Sequence, residues 1–290
     1  MRFFNACITG LALVGLATSA TADDHTETCP PYESFGEGPD LVLMPGLGSA
    51  PAVWDSVSER LSANYTVHLV HVAGFAGRAA NGDPDTILDR NAQEIITYMD
   101  CNGIESAAYA GHSMGGFTGL ILASEHPDRI NNLVIVDSLP FFPLIFSEAM
   151  TVASARPQAD RIRAQMLTQG DGEFAASQRT GMRTLIQNTA FHDQAVQWST
   201  TSDRATFAGA IHALMTTDIR DQLSEIATPT TVIAASNAFV PRSRVEALYS
   251  NAYANLPDVE IAIVEDSFHF IMFDQPEAFG EALEAALAQE

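Results

Sequence analysis

Gly111-His112-Ser113-Met114-Gly115-Gly116 follows the apolar run Ser106 to Ala110 and precedes Phe117 to Ser124. A short buried strand, a glycine-flanked reversal and a helix are the reading that this order predicts. The glycines leave room for the chain to turn sharply, and a serine at the top of such a turn is presented outward. A hydroxyl attacks poorly unless it is exposed and placed beside a base, so Ser113 reads as a nucleophile. An incidental glycine-rich turn would lack the strand before it and the helix after it.

The chain on either side repeats the same alternation. Asp40 to Met44 is an apolar strand stopped by Pro45-Gly46-Leu47-Gly48, Val53 to Leu61 has helical spacing, and Tyr65 to Val72 returns to strand character. Asp89 to Asp100 places Ile95, Ile96 and Met99 on one helical face, and Leu133-Val134-Ile135-Val136 is a strand ending at Asp137. The rhythm lapses from Ser138 to about Ile226, where helical stretches carry Phe141, Phe174, Phe207 and other large apolar side chains. It resumes with Thr230 to Ala235, Val259 to Ile263 and a closing helix from Pro276 to Ala288. Alternating strands and helices predict an α/β fold, a mainly parallel sheet flanked by helices. The expected division is a signal segment at 1–22, a first core part at 23–137, an inserted helical cap at 138–226 and a second core part at 227–290. Most of the cap's aromatics and methionines should fill its own core; the inward-facing remainder would line an apolar substrate pocket.

The first residues read as a targeting segment. Arg2 is followed by the apolar Phe3 to Ala17 and by the small residues Ala20-Thr21-Ala22, a pattern predicting secretory cleavage after Ala22 and an exported protein, periplasmic or extracellular. That run is shorter than the roughly 20 residues of a spanning helix, so no stable transmembrane association is expected. With 36 acidic side chains against 14 basic ones, all arginine, the net charge of −22 argues against nucleic acid and against anionic membrane surfaces. Cys29 and Cys101 remain after the signal, and an oxidising compartment makes a disulfide between them a reasonable expectation. His25 with Asp23 and Asp24 lacks persuasive ligand spacing, so no metal is expected.

A serine nucleophile needs donors for the developing oxyanion and a base for its proton. Met114 N-H, at the start of the helix, is the natural first donor, and Leu47 N-H in the glycine-rich turn is the second. Among the histidines, His112 adjoins Ser113 but should diverge from it. His269 sits on a late loop after the last strand, where a general base is required.

These segments resemble the α/β-hydrolase superfamily. Leu43-Met44-Pro45-Gly46-Leu47-Gly48 is similar to its oxyanion turn, Gly111 to Gly116 to its nucleophile elbow, and His269-Phe270 with Pro276-Glu277-Ala278-Phe279 to its terminal histidine region. The resemblance implies a cap-containing serine hydrolase of esterase or lipase type, acting without a cofactor on a small-molecule ester or related acyl substrate. It departs from its relatives at the triad acid. They commonly carry aspartate where this chain has Asn237, and an amide cannot balance an imidazolium with a full charge. Asp137, closing the strand before the cap, is the preferred acid; Asn237 and Asp266 are the alternatives. An aminopeptidase-like amide hydrolase and a binding protein with little turnover are the rival functions, and the oligomeric state is left open.

Overall fold

A computed structural model describes residues 29–289; the expected signal segment lies outside them. The elements run β1 (Glu33–Phe35), β2 (Asp40–Met44), α1 (Asp55–Leu61), β3 (Thr66–Leu69), α2 (Ile87–Asn102), β4 (Ala107–His112), α3 (Met114–Glu125) and β5 (Ile130–Val136). A helical insertion follows, with α4 (Val152–Thr168), α5 (Asp171–Leu185), α6 (His192–Thr200) and α7 (Arg204–Thr216). The chain then returns through β6 (Thr230–Ala235), α8 (Arg242–Ala252), β7 (Glu260–Val264), α9 (Ile271–Asp274) and α10 (Pro276–Leu287). The described strands form one sheet in the order β1-β3-β2-β4-β5-β6-β7, parallel throughout except for β1 against β3.

Period-two alternation assigns side chains to the two faces. In β2, Val42 and Met44 enter the core shared with α2, α3 and α8, whereas Leu41 and Leu43 enter the core shared with α1 and α10. Trp54 packs near Phe279 on that second face in a tilted arrangement, with ring centroids 6.1 Å apart. The central helix α3 is buried from Met114 to Ala123 and lies close on the sheet: a Cβ at Gly119 would come within 2.6 Å of the Tyr109 ring. The insertion between β5 and β6 forms a cap-like layer, with Phe174 and Phe207 packed edge to face inside it.

Three readings change. Residues 23–39, whose acids, prolines and glycines predict an irregular entry segment, are not wholly irregular, since Glu33–Phe35 pairs with β3 as an edge strand. Helix α8 lies where no element was expected. Cys29 and Cys101 form no disulfide; both side chains are exposed, and Asn102 Nδ2 lies 3.7 Å from Cys29 Sγ.

The sheet order places the chemistry. After β2 the chain adds β3 on one side, then crosses to place β4 on the other, so the loops leaving β2 and β4 diverge and open a crevice at their C-terminal ends. Those loops carry Leu47 and Ser113.

Candidate active site

Ser113 sits between β4 and α3 with φ 54° and ψ −116°, a combination that an L-residue occupies at a cost of roughly 1–3 kcal/mol. The turn is held by its own backbone: Ser113 N-H donates to Val136 O at 2.8 Å, and Ser113 O accepts from Phe117 N-H at 3.0 Å. Glycines are required by contact, not by flexibility. A Cβ at Gly111 would lie 2.2 Å from Gly115 O, and one at Gly115 would lie 2.4 Å from Met44 O. A Cβ at Gly46 would come within 3.0 Å of Ser113 Cβ, so the loop after β2 backs directly onto the serine. Ser49 N-H closes that loop on Gly46 O at 3.2 Å. Met114 opens α3, so its N-H has no carbonyl four residues earlier within the helix.

Asp137 stands at the C-terminal end of β5, also with a positive φ, 46°. Its Oδ2 accepts from His269 Nδ1 at 2.7 Å; its Oδ1 accepts from Ala235 N-H at 3.0 Å and from the Tyr249 hydroxyl at 2.9 Å. A carboxylate can only accept, so His269 carries its proton on Nδ1 and leaves Nε2 as the basic nitrogen. Burial raises the Asp137 carboxyl, but the hydrogen bond and charge of His269, with the Ala235 and Tyr249 donors, outweigh it and hold the group below the ordinary carboxylate value. Burial, and then the charge of Asp137, push the Tyr249 phenol well above its usual range, so it stays a donor.

The loop bearing His269 is tied on every side. Phe268 N-H donates to Asp274 Oδ2 at 2.8 Å, and Asp274 Oδ1 accepts from Gln187 and Asn188 N-H in the cap. Phe270 N-H donates to Leu185 O at 3.0 Å, at the end of α5. The cap therefore helps to fix the histidine as well as covering the crevice.

The two alternative acid positions do other work. Asn237 Oδ1 accepts from Phe239 and Val240 N-H at 2.9 and 3.0 Å, while its Nδ2 donates to Ser267 O at 3.1 Å. Both ends of the amide are used to join the loop after β6 to the loop after β7, and neither meets His269. Asp266 is exposed in a positive-φ turn, and no bond joins its carboxylate to His269.

His112 diverges from Ser113 as the turn requires. It is fully buried, donates from Nε2 to His269 O at 3.0 Å, and lies against the His269 ring with centroids 4.5 Å apart. Burial, reinforced by the neighbouring His269, lowers it from 6.5 to about 3. It is thus neutral when folded, yet takes a proton when unfolded below its ordinary 6.5. The unfolded state binds the extra proton, so stability falls as pH drops from 6.5 toward 3, by about 1.4 kcal/mol per unit. Urea unfolding at pH 6.5 and 5 should show a loss of about 2 kcal/mol that H112Q largely lacks; an equal loss in both proteins would remove His112 as its source.

Tyr249 and α8 escaped the sequence reading, although Val245, Tyr249 and Ala252 recur at helical spacing and are all buried. A tyrosine on that stripe reads as core, and nothing in the sequence says that its hydroxyl reaches a residue 112 positions earlier.

A strained serine at the switch point of a parallel sheet, with an acid-bound histidine on a late loop, defines a hydrolase of the nucleophilic kind. Residues 39–276 match the family of the alpha/beta hydrolase fold, and the chain belongs to that family. It is a serine-type, carboxylesterase-like hydrolase. It is 28% identical over 258 residues to a pimeloyl-[acyl-carrier protein] methyl ester esterase of Aeromonas hydrophila, spanning 87% of this chain and 96% of that one. Among solved structures, a hydrolase from Pseudomonas aeruginosa is similar at a TM-score of 0.74 and 24% identity, covering 89% of this chain and 94% of that chain. An enol-lactonase from Burkholderia xenovorans is similar at a TM-score of 0.73 and 20% identity, covering 89% and 96%. Among the described residues, no helix is long and apolar enough to cross a membrane.

Proposed function

We propose that the protein is an exported carboxylic ester hydrolase that works through an acyl-enzyme on Ser113. The observation carrying this reading is the 2.7 Å bond from His269 Nδ1 to Asp137, which leaves Nε2 free to take a proton. Ser113 Oγ attacks the carbonyl carbon as His269 Nε2 removes its proton, and Met114 and Leu47 N-H groups receive the developing oxyanion. His269 returns the proton to the departing alcohol, then activates water to release the acid. Asp137 holds the tautomer and balances the imidazolium. These groups supply all of the chemistry without a cofactor.

An ester is preferred to an amide, a choice supported by the ester chemistry in the name of the Aeromonas relative. An apolar or aromatic acyl group suits the cap, whose Phe207 lies so close to the oxyanion turn that a Cβ at Gly48 would meet it at 2.4 Å. Export is supported by Phe3 to Ala22.

One experiment tests the set. Protein expressed from the full sequence is treated with a fluorophosphonate and its intact mass measured. One adduct on Ser113 and an N-terminus at Asp23 are expected, together with sustained turnover of a short acyl ester. Labelling that persists in S113A would overturn the nucleophile assignment, and a retained N-terminal segment would overturn export.

A further inference from the structure

A groove of about 890 Å³ opens beside the catalytic residues, large enough for a ligand of several hundred daltons. It reaches the site at His269 and Asp137, and Ser113 does not line it. Its walls come from the chain entering the cap, the end of α5, the loop after β6 and the face of α8. Two features mark its chemistry. Ile145, Phe146 and Phe239, three of the large apolar side chains most exposed in the described residues, all line it, with Phe239 80% exposed. Two arginines, Arg183 on α5 and Arg244 on α8, line it as well.

In this acidic chain, arginines are commonly matched: Arg78 to Glu94, Arg129 to Asp100, Arg204 to Asp171 and Arg242 to Glu246. Arg183 and Arg244 form no ion pair among the described residues. Of the carboxylates in the groove, Asp137 is engaged by His269, and Glu148 accepts from Asn251 Nδ2 at 3.3 Å. A groove with several apolar side chains and two guanidinium groups that form no ion pair, facing Glu148 as the one carboxylate outside the His269–Asp137 pair, suits a ligand that is apolar along its length and anionic at its end.

Its position says which part of a substrate would enter. His269 donates its proton to the departing oxygen, so the space on the histidine's side receives the leaving group. We propose that this groove is the leaving-group site for esters whose alcohol is an apolar chain ending in a carboxylate or phosphate, held by Arg183 and Arg244. The proposal rests on the ester hydrolase reading above. In acylation the Ser113 Oγ–carbon bond forms, the carbon–alkoxy oxygen bond breaks, and the proton taken from Ser113 passes through His269 to that oxygen. The released product is the anionic alcohol.

Binding can be read without turnover. S113A protein is titrated calorimetrically with ω-hydroxyoctanoate, ω-hydroxyoctyl phosphate and octanediol, which share a chain and differ in charge. At least one anionic alcohol should bind about tenfold tighter than the diol, in line with two charge-assisted contacts at a partly wet site. The preference should shrink in salt and fall below about twofold when R183Q and R244Q are added. Restoration by R183K and R244K would separate lost charge from lost folding, and the tighter of the two anions identifies the head group. Equal binding of all three compounds, or a preference unchanged by R183Q and R244Q, would overturn the proposal. The butanoate esters of the same alcohols separate the two readings: selective binding without hydrolysis by the unmodified protein would retire the hydrolytic assignment and leave the anion site standing, whereas hydrolysis with no anion preference would retire the site alone.

Discussion

D137N is expected to lower ester turnover by about 10⁴-fold while leaving KM nearly unchanged. The size of the effect follows from the donors around the carboxylate. Oδ1 accepts from both Ala235 N-H and the Tyr249 hydroxyl, so an asparagine must put its oxygen there. Its NH₂ then takes the place of Oδ2 and faces His269 Nδ1, where it can only donate. The imidazole is driven to carry its proton on Nε2, and the nitrogen that should receive the Ser113 proton no longer can. The companion N237D predicts a different signature. A carboxylate at 237 would still accept from Phe239 and Val240 N-H, but its other oxygen would face Ser267 O with no proton between them. That costs about 1–3 kcal/mol of stability and leaves most of the turnover. Steady-state kinetics and urea unfolding of the two variants separate the roles; D137N within tenfold of the unmodified enzyme, alongside a collapse of turnover in N237A, would move the histidine's partner to position 237.

Much of this was legible beforehand because it depends on short-range chemistry. The elbow declares itself through glycines whose Cβ atoms have nowhere to go, and the strands through apolar runs cut off by turns. The acid was harder, since its identity depends on which strand end the late histidine loop reaches. Asp137 could be favoured because Asn237 lacks the charge, but the reason for Asn237 is visible only in three dimensions: an amide is the group that can accept from one loop and donate to the other. Helix α8 was missed because its apolar stripe is sparse, with two arginines and a serine before the first buried position and glutamate, serine and asparagine among those that follow. Tyr249 was lost with it. The Cys29–Cys101 expectation failed for a related reason, because compartment and cysteine count say nothing about whether two side chains meet.

The largest effect belongs to Ser113. S113A should lower turnover by about 10⁵-fold or more, since it removes the atom that forms the acyl bond and leaves only oxyanion stabilisation and binding. S113G should be equally inactive, yet the two should differ in stability. At φ 54° and ψ −116° the residue has the conformation of the first central position of a type II′ turn, which glycine adopts readily and alanine does not. The strain is enforced by Ser113 N-H on Val136 O and by Phe117 N-H on Ser113 O, so alanine cannot relax without breaking the strand-to-helix junction. S113G should therefore unfold about 1 kcal/mol above S113A in urea. An S113A protein at least as stable as S113G would mean that the elbow is unstrained. If glycine is the more stable, the position favours a residue that cannot do chemistry, and serine stands there at a cost in stability that the proposed role of its hydroxyl as nucleophile explains.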